Sequence, residues 1–162
     1  VLGVPGNCDY PEVEAYLTEK GANLHGRSQI FHGTTFFGVG GSLAGFAQTP
    51  NAYSEDQFAE FLDRAADGLD AHIPSVLVSH QPPVNTAVDL VSGRAHVGST
   101  SVRTCIEAIQ PLICFTGHIH EARGIDAIGR TKVVNPGPLN RGGYAYVVLN
   151  EEVEILEIRK VG

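Results

Sequence analysis

The sequence predicts an α/β fold, a sandwich with two central sheets, and three observations support this prediction. Short apolar, β-branched segments bounded by Gly and Pro are typical of buried strands. Segments with apolar residues at helical spacing lie between them and indicate helices that pack one face on a sheet. Four further short strands, separated by turns, end the chain. This order of elements favours helices layered on two sheets.

The first third of the chain is predicted to form a strand, a helix and a hairpin. Residues 1–4 form an apolar run that predicts the first strand. Residues 11–20 predict a helix, because a proline suits the first turn and Gly21 ends the pattern. Residues 29–38 predict a hairpin that turns at Gly33.

The middle of the chain alternates helices with buried strands. Ser54 and Gln57 form a capping box at the start of the second helix. A strand over 76–79, a helix over 101–109 and a strand over 111–115 follow. The apolar stripe expected to pack the second helix on the sheet comprises Phe58, Phe61, Leu62, Ala65 and Leu69.

The last four strands are predicted at 124–128, 131–135, 144–149 and 153–159. Glutamates alternate with apolar residues in the last of them, which indicates a half-exposed edge. With 162 residues, the sequence is expected to form a single domain, residues 1–162.

Composition excludes some functional classes. The net charge of −7 argues against a protein that binds duplex nucleic acid, which normally presents a basic face. No apolar run approaches the roughly 18 to 20 residues that span a bilayer, so no membrane partner is expected. The three cysteines, Cys8, Cys105 and Cys114, predict free thiols and a cytoplasmic location. None begins a Cys-x5-Arg loop, so thiol phosphatase chemistry is not expected.

Potential ligands follow three of the predicted strands. Asn7 and Asp9 follow the first, His80 follows the second, and His118 and His120 follow the third. In extended backbone, residues two apart project to the same side, so the last two imidazoles would be displayed together. Neutral imidazole is a common metal ligand, which makes this edge a candidate metal site. The alternative is that the two histidines only cap polar backbone groups.

These motifs resemble the calcineurin-like metallophosphoesterases. The last three signature blocks of that family are similar to Gly6-Asn7-Cys8-Asp9, Ser79-His80-Gln81-Pro82-Pro83 and Gly117-His118-Ile119-His120, in this order. Asn135-Pro136-Gly137-Pro138 resembles the turn that follows them in the small prokaryotic phosphodiesterase-type branch. The resemblance implies a four-layer α/β/β/α metallophosphoesterase sandwich that here lacks its first strands.

Two earlier blocks of that family have no counterpart in the sequence. They are an Asp-x-His motif and a Gly-Asp motif, which lie upstream of the Gly-Asn block, and here that block begins at Gly6. The chain also contains no Met. We therefore expect this sequence to be the C-terminal part of a longer domain. A protein that never carried these blocks is the alternative.

The resemblance implies phosphoester hydrolysis by a hydroxide bridging two divalent metal ions. Asn7, His80 and His118 would bind one metal and His120 the other, together with upstream ligands. Mn²⁺ is the favoured ion, with Fe, Zn, Ni and Mg as alternatives. The polypeptide alone is expected to bind one metal weakly and to have little activity.

The residues after Asn7 bear on the catalytic step. Many relatives have a His at the position of Cys8, which helps to protonate the leaving oxygen. A thiol with a pKa near 8.5 is a poor substitute, so a general-acid contribution of roughly 10² to 10⁴ should be reduced. We therefore expect phosphodiester rather than monoester hydrolysis, with Asp9 holding the loop.

His96 and Ser99 precede the third helix and are candidates for binding the substrate's phosphate. A helix N-terminus with Gly and hydroxyl residues favours anions. A similar His-x-Gly-Ser stretch occurs in related small phosphoesterases. The alternative is an ordinary N-cap beside a surface histidine. The pattern assigns no role to Arg94, Arg123 or Arg141.

Two other functional classes remain as alternatives to the enzyme. One is a catalytically inactive phosphoesterase-like scaffold that acts through protein contacts, although such a scaffold would not need Asn7, His80, His118 and His120 together. The other is a mononuclear metal-binding or regulatory protein. The expected partner of the enzyme is a small phosphodiester or nucleotide-like substrate, and a homo-oligomer is left open.

Overall fold

A computed structural model describes residues 1–45, 48–92 and 94–162 of the protein, and a six-stranded sheet lies at its centre. In chain order the elements are α1 (Pro11–Glu19), β1 (Arg27–Phe31), β2 (Thr34–Val39), β3 (Ser42–Leu43), β4 (Ala52–Tyr53), α2 (Glu55–Ala66), β5 (Ser75–Ser79), β6 (Leu90–Val91), β7 (Ala95–His96), α3 (Thr100–Ile109), β8 (Ile113–Thr116), β9 (Gly124–Ile128), β10 (Thr131–Asn135), a 3₁₀ turn (Leu139–Arg141), β11 (Gly143–Leu149) and β12 (Val153–Lys160).

The central sheet has the strand order β1-β2-β5-β8-β10-β9. Strands β2, β5, β8 and β10 are parallel, and the two edge strands β1 and β9 pair antiparallel with their neighbours. The parallel strands therefore end at one common edge of the sheet. The predicted α/β fold class is confirmed.

Alternating side chains of the central strands supply two separate apolar clusters. Leu77 and Cys114 point to the face that α2 and α3 cover, whereas Val76 and Ile113 point to the opposite face. The hairpin of β11 and β12 packs on that opposite face through Val147, Leu156 and Ile158, among others. The described residues thus form a helix layer, a central sheet and a second, two-stranded sheet.

Local sequence signals set several boundaries. Both hydrogen bonds of the α2 capping box form, because the side chains of Ser54 and Gln57 each accept a hydrogen bond from the other's backbone amide. The hairpin around Gly33 forms as predicted. The predicted last four strands all form, but β11 and β12 leave the central sheet and pair only with each other.

The predicted first strand is wrong. Residues 1–4 make only a single bridge, between Gly3 and Asn23. Pro5 then removes a backbone donor, and its carbonyl accepts from the Gly41 amide as the chain turns across the strand ends. In the three described ranges, no helix has the length and apolarity needed to cross a bilayer.

Candidate metal centre

The candidate site lies where β5 and β8 end side by side. Ser79 pairs with Thr116, so the residues that follow each strand leave the sheet together. The Gly117 amide donates to the His80 carbonyl at 3.3 Å, which extends this alignment past the ladder. The rings of His80 and His118 are consequently neighbours, with centroids 5.2 Å apart. Two strand-end histidines predicted from sequence therefore come together.

Asn7 reaches the same place from the start of the chain. Its Oδ1 lies 3.1 Å from Nε2 of His80. Gly6 makes this approach possible, because a Cβ there would lie 3.1 Å from Cε1 of His80. The structure thus brings together three of the four predicted metal ligands, Asn7, His80 and His118.

Asn51 holds the Asn7 loop, and the sequence analysis did not assign it a role. Its Nδ2 donates to the carbonyls of Gly6 at 2.9 Å and Asp9 at 2.8 Å, and its backbone amide donates to the Asn7 carbonyl at 3.1 Å. The side chain of Asp9 closes the loop from within, accepting from the Gly6 amide at 2.7 Å. A buried asparagine 45 residues away from Gly6 carries no local sequence signal.

The backbone of the histidine pair differs from the expectation of extended structure. Strand β8 ends at Thr116, and His118 adopts a φ of 61°, in the left-handed region. Strand alternation therefore does not place the two imidazoles, and that part of the prediction is wrong. Ile119 is buried between them, and His120 is exposed.

Asn135 fixes this turn. Its Nδ2 donates to the Ile119 carbonyl at 2.8 Å, and its Oδ1 accepts from the Gly137 amide at 3.0 Å. The two loops that frame His118 are therefore joined by one buried amide side chain. A left-handed non-glycine residue is costly, and such tertiary contacts are what maintain it.

Both neighbouring imidazoles are neutral at pH 7. Burial lowers the pKa of His80 from its ordinary 6.5 to about 4, and the adjacent His118 and His120 lower it further while Asp9 acts in the opposite direction. Burial, with a contribution from His120, also lowers the pKa of His118. Neutral imidazoles keep a nitrogen lone pair for a metal ion.

The donor set fits a divalent metal in part. Ligand atoms that share one metal at bonds of roughly 2.1 Å lie about 3 Å apart, as Asn7 Oδ1 and His80 Nε2 do here. Among residues 1–45, 48–92 and 94–162, however, no three His, Cys, Asp or Glu side chains gather into a metal site. The described chain thus provides an amide and two imidazoles, and further ligands are required for a second metal.

The two residues predicted to bind phosphate have other partners. Ser99 is buried and is the N-cap of α3, and its Oγ donates to Glu55 at 2.7 Å. The Glu55 carboxylate also accepts from the backbone amides of Thr100 and Ser101. A carboxylate from α2 therefore takes the position that the prediction gave to a phosphate, and the structure does not support that prediction for Ser99.

His96 belongs to a neighbouring loop network. Its Nδ1 lies 2.7 Å from Oδ1 of Asp89, whose side chain is fully buried. Asp89 also accepts from the amides of Thr86 and Gly98 at 2.9 Å each. This network joins Thr86, His96 and Gly98 through Asp89, and the His96 side chain stays partly exposed.

All three cysteines are free thiols. Cys8 is exposed, in the Asn7 loop, whereas Cys114 is buried in the core. Burial raises the pKa of the Cys105 thiol to about 12, with a smaller contribution from Asp63. Of the three cysteines, Cys8 is the one that lies in the Asn7 loop, beside the candidate centre.

Comparisons with known proteins identify the family of this chain. Residues 1–158 match the family model described as metallophosphoesterase, calcineurin superfamily. The chain is 42% identical over 142 residues to an uncharacterized protein of Methanocaldococcus jannaschii. The aligned region covers 85% of this chain and 64% of that protein. It is 29% identical over 128 residues to a UPF0046 protein of Caenorhabditis elegans, covering 78% of this chain and 39% of the relative.

Solved structures share the fold. One crystal structure superposes with a TM-score of 0.77 at 26% identity and covers 97% of this chain and 64% of its own. The crystal structure of a Thermus thermophilus protein gives a TM-score of 0.68 at 24% identity, covering 97% of this chain and 70% of its own. The chain thus spans less than two thirds of the length of the curated relatives it matches.

Proposed function

This chain belongs to the calcineurin superfamily of metallophosphoesterases, and from that premise we propose that it carries the strand-end ligands of a metal-dependent phosphodiesterase. The observation that supports this most directly is the convergence of Asn7, His80 and His118, which come from three separate segments. One amide oxygen and two neutral imidazoles suit a first-row divalent ion such as Mn²⁺.

Each residue of the centre has its own part in the proposal. Asn7, His80 and His118 would hold one metal, and His120 would contribute to a second. Bound divalent ions would activate water and neutralise charge on the phosphate oxygens. Asp9 and Asn51 fix the Asn7 loop, so that its ligand atom is positioned before substrate arrives.

The preference for diesters rests on the Asn7 loop. Cys8 is exposed, and by resemblance to the family its position is one where many members carry a histidine that protonates the leaving oxygen. Substrates whose leaving oxygen needs little protonation would be least affected by this replacement. We therefore propose a small phosphodiester, rather than a general monoester, as the substrate.

The proposal is tested with two chromogenic compounds, bis(p-nitrophenyl) phosphate and p-nitrophenyl phosphate. The full-length protein that carries this chain is assayed with added Mn²⁺ and with a chelator. His118→Ala is assayed beside it, with His72→Ala as the control, because the His72 side chain is exposed and outside the candidate centre. We expect Mn²⁺-dependent cleavage of the diester, at least about 100-fold weaker in His118→Ala and unchanged in His72→Ala.

Metal content is measured on the same samples. If metal is bound and neither compound is cleaved, the inactive scaffold becomes the better explanation. If the monoester is cleaved faster than the diester, the enzyme remains and the proposed substrate class is wrong.

A further inference from the structure

A small cleft beside His120 is lined by residues that include three cationic ones. It has a volume of about 170 Å³, and its walls include Arg123, Arg141 and Lys160. His120 forms part of the same lining, so the cleft adjoins the candidate metal centre. The chain as a whole has a net charge of −7, which makes this local concentration of positive charge unusual for the molecule.

Among the residues that the structure describes, the three cationic residues have no acidic partner. Across the described ranges, no carboxylate lies within 4 Å of the charged nitrogens of Arg123, Arg141 or Lys160. By contrast, Arg103 and Arg159 each pair with a glutamate on their own element. Cationic residues that line a cleft without a carboxylate attract an anion from solution.

The cleft is built on fixed backbone. Nε of Arg123 donates to the Pro136 carbonyl at 3.2 Å, and its Nη2 donates to the Ile158 carbonyl at 3.4 Å. Its aliphatic part packs on Gly137, which has a φ of 77° and where a Cβ would lie 3.3 Å from Cδ of the arginine. Arg123 therefore presents its remaining donors in a defined direction.

Arg141 and Lys160 are the other two cationic residues that line the cleft. Arg141 ends the 3₁₀ turn, and Lys160 ends β12, where it pairs with Gly143. Within the described part of the chain, neither side chain makes a hydrogen bond or an ion pair. Both are thus available to a ligand that enters the cleft.

We propose that this cleft binds a second phosphate group of the substrate, one that is not hydrolysed. This inference rests on the proposed function, because His120 places the cleft next to the reacting centre. The preferred substrate would then be a phosphodiester that carries an additional terminal phosphate. A phosphate dianion suits a cleft lined by three cationic residues better than a neutral or singly charged group does.

Two matched probes test the proposal. Thymidine 5′-(p-nitrophenyl phosphate) carries only the scissile diester, and its 3′-phosphorylated form carries a second phosphate. In the presence of Mn²⁺, we expect kcat/KM to be about tenfold higher for the 3′-phosphorylated probe. A factor of this size is what one or two exposed charge-assisted hydrogen bonds to the second phosphate would contribute. In Arg141→Gln and in Lys160→Gln, this ratio should fall toward one.

The control is Arg130→Gln. Arg130 is an exposed arginine at the opposite end of β10, so it should not affect the ratio. Thermal unfolding of each variant verifies that it is folded. An unchanged ratio in Arg141→Gln and Lys160→Gln would overturn the proposal.

Binding is measured separately by calorimetric titration with inorganic phosphate in the presence of a chelator. We expect phosphate to bind the unaltered protein and Arg130→Gln equally, and Arg141→Gln at least about fivefold more weakly. If neither probe is hydrolysed, the phosphodiesterase proposal fails, and this titration alone tests whether the cleft binds phosphate. If phosphate does not bind, or if it binds equally to all three proteins, the proposal that the cleft binds phosphate is wrong.

Discussion

Gly6 lies in close contact with the ring of a predicted metal ligand, His80. A methyl group there would meet the His80 ring at 3.1 Å, whereas a Cβ at Gly3 would have no neighbour within 4 Å. Gly6→Ala is therefore expected to displace the ring by a few tenths of an ångström and to weaken Mn²⁺ binding by about tenfold. Calorimetric titration checks this, with Gly3→Ala as the matched control. Equal affinity in the two variants would show that the ring tolerates the methyl group.

Asn51 acts at the same scale, through hydrogen bonds rather than contact. Asn51→Ala would remove the Nδ2 donor from the Asp9 carbonyl and would leave the Gly6 carbonyl with only the Asp9 amide, at a cost of about 2 kcal/mol in the free energy of unfolding. Because the Asn7 loop would lose its anchor, Mn²⁺ affinity should also fall by roughly 10-fold. Urea unfolding and metal titration measure the two effects. Asn140→Ala, at an exposed position, should change neither.

At the scale of elements, one carboxylate joins the N-termini of two helices. Glu55 lies in the first turn of α2 and accepts hydrogen bonds from Ser99 Oγ and the first amides of α3. Its negative charge interacts favourably with the positive N-terminal ends of both helix dipoles. This explains why a helix N-terminus that resembled an anion site from its sequence is satisfied within the fold.

The contribution of Glu55 should depend on pH. Burial by itself raises the pKa of Glu55, but hydrogen bonds from Ser99, Ser101 and Thr100 outweigh it and hold the pKa below the ordinary 4.5. A depressed carboxyl pKa stabilises the fold above pH 4.5, and this stabilisation is lost as the pH falls through the folded-state value.

Glu55→Gln is therefore expected to lower the free energy of unfolding by about 1 to 2 kcal/mol at pH 7 and by less at pH 3. Urea unfolding at the two pH values tests this. Glu60→Gln, on the exposed side of the same helix, is the control. A loss of stability that does not change with pH would indicate that packing, not charge, is responsible.

At the scale of the whole molecule, the candidate metal ligands come from distant parts of the chain. Asn7, His80 and His118 meet only when the sheet and the Asn7 loop are folded together. A metal that binds them should therefore stabilise the entire native state. At a Mn²⁺ concentration 100 times the Kd, the gain is about 2.7 kcal/mol, or roughly 5 to 10 °C in Tm.

Differential scanning calorimetry with and without Mn²⁺ measures this linkage. The shift in Tm should be absent in His80→Ala and retained in His72→Ala, because only the former removes a predicted ligand. A shift of equal size in both variants would place the stabilising metal at another position in the protein.

The sequence by itself determined the α/β class and the elements with strong local signals, and it pointed to Asn7, His80, His118 and His120 as candidate ligands. The capping box of α2 and the hairpin at Gly33 are set by residues within a few positions of one another, so periodicity and turn chemistry were sufficient. The order of the ligand motifs likewise indicated the family that the comparisons show.

Tertiary structure decided the features that depend on distant segments. The apolar residues 1–4 form only an isolated bridge, between Gly3 and Asn23, instead of the predicted strand. His118 adopts a left-handed backbone conformation beside a hydrogen bond from Asn135 to the Ile119 carbonyl. Glu55 filled the N-terminus of α3 from 44 residues away, and Arg123, Arg141 and Lys160 met in one cleft. Hydrogen bonds and charges act through space, so residues far apart in sequence determine which local preference prevails.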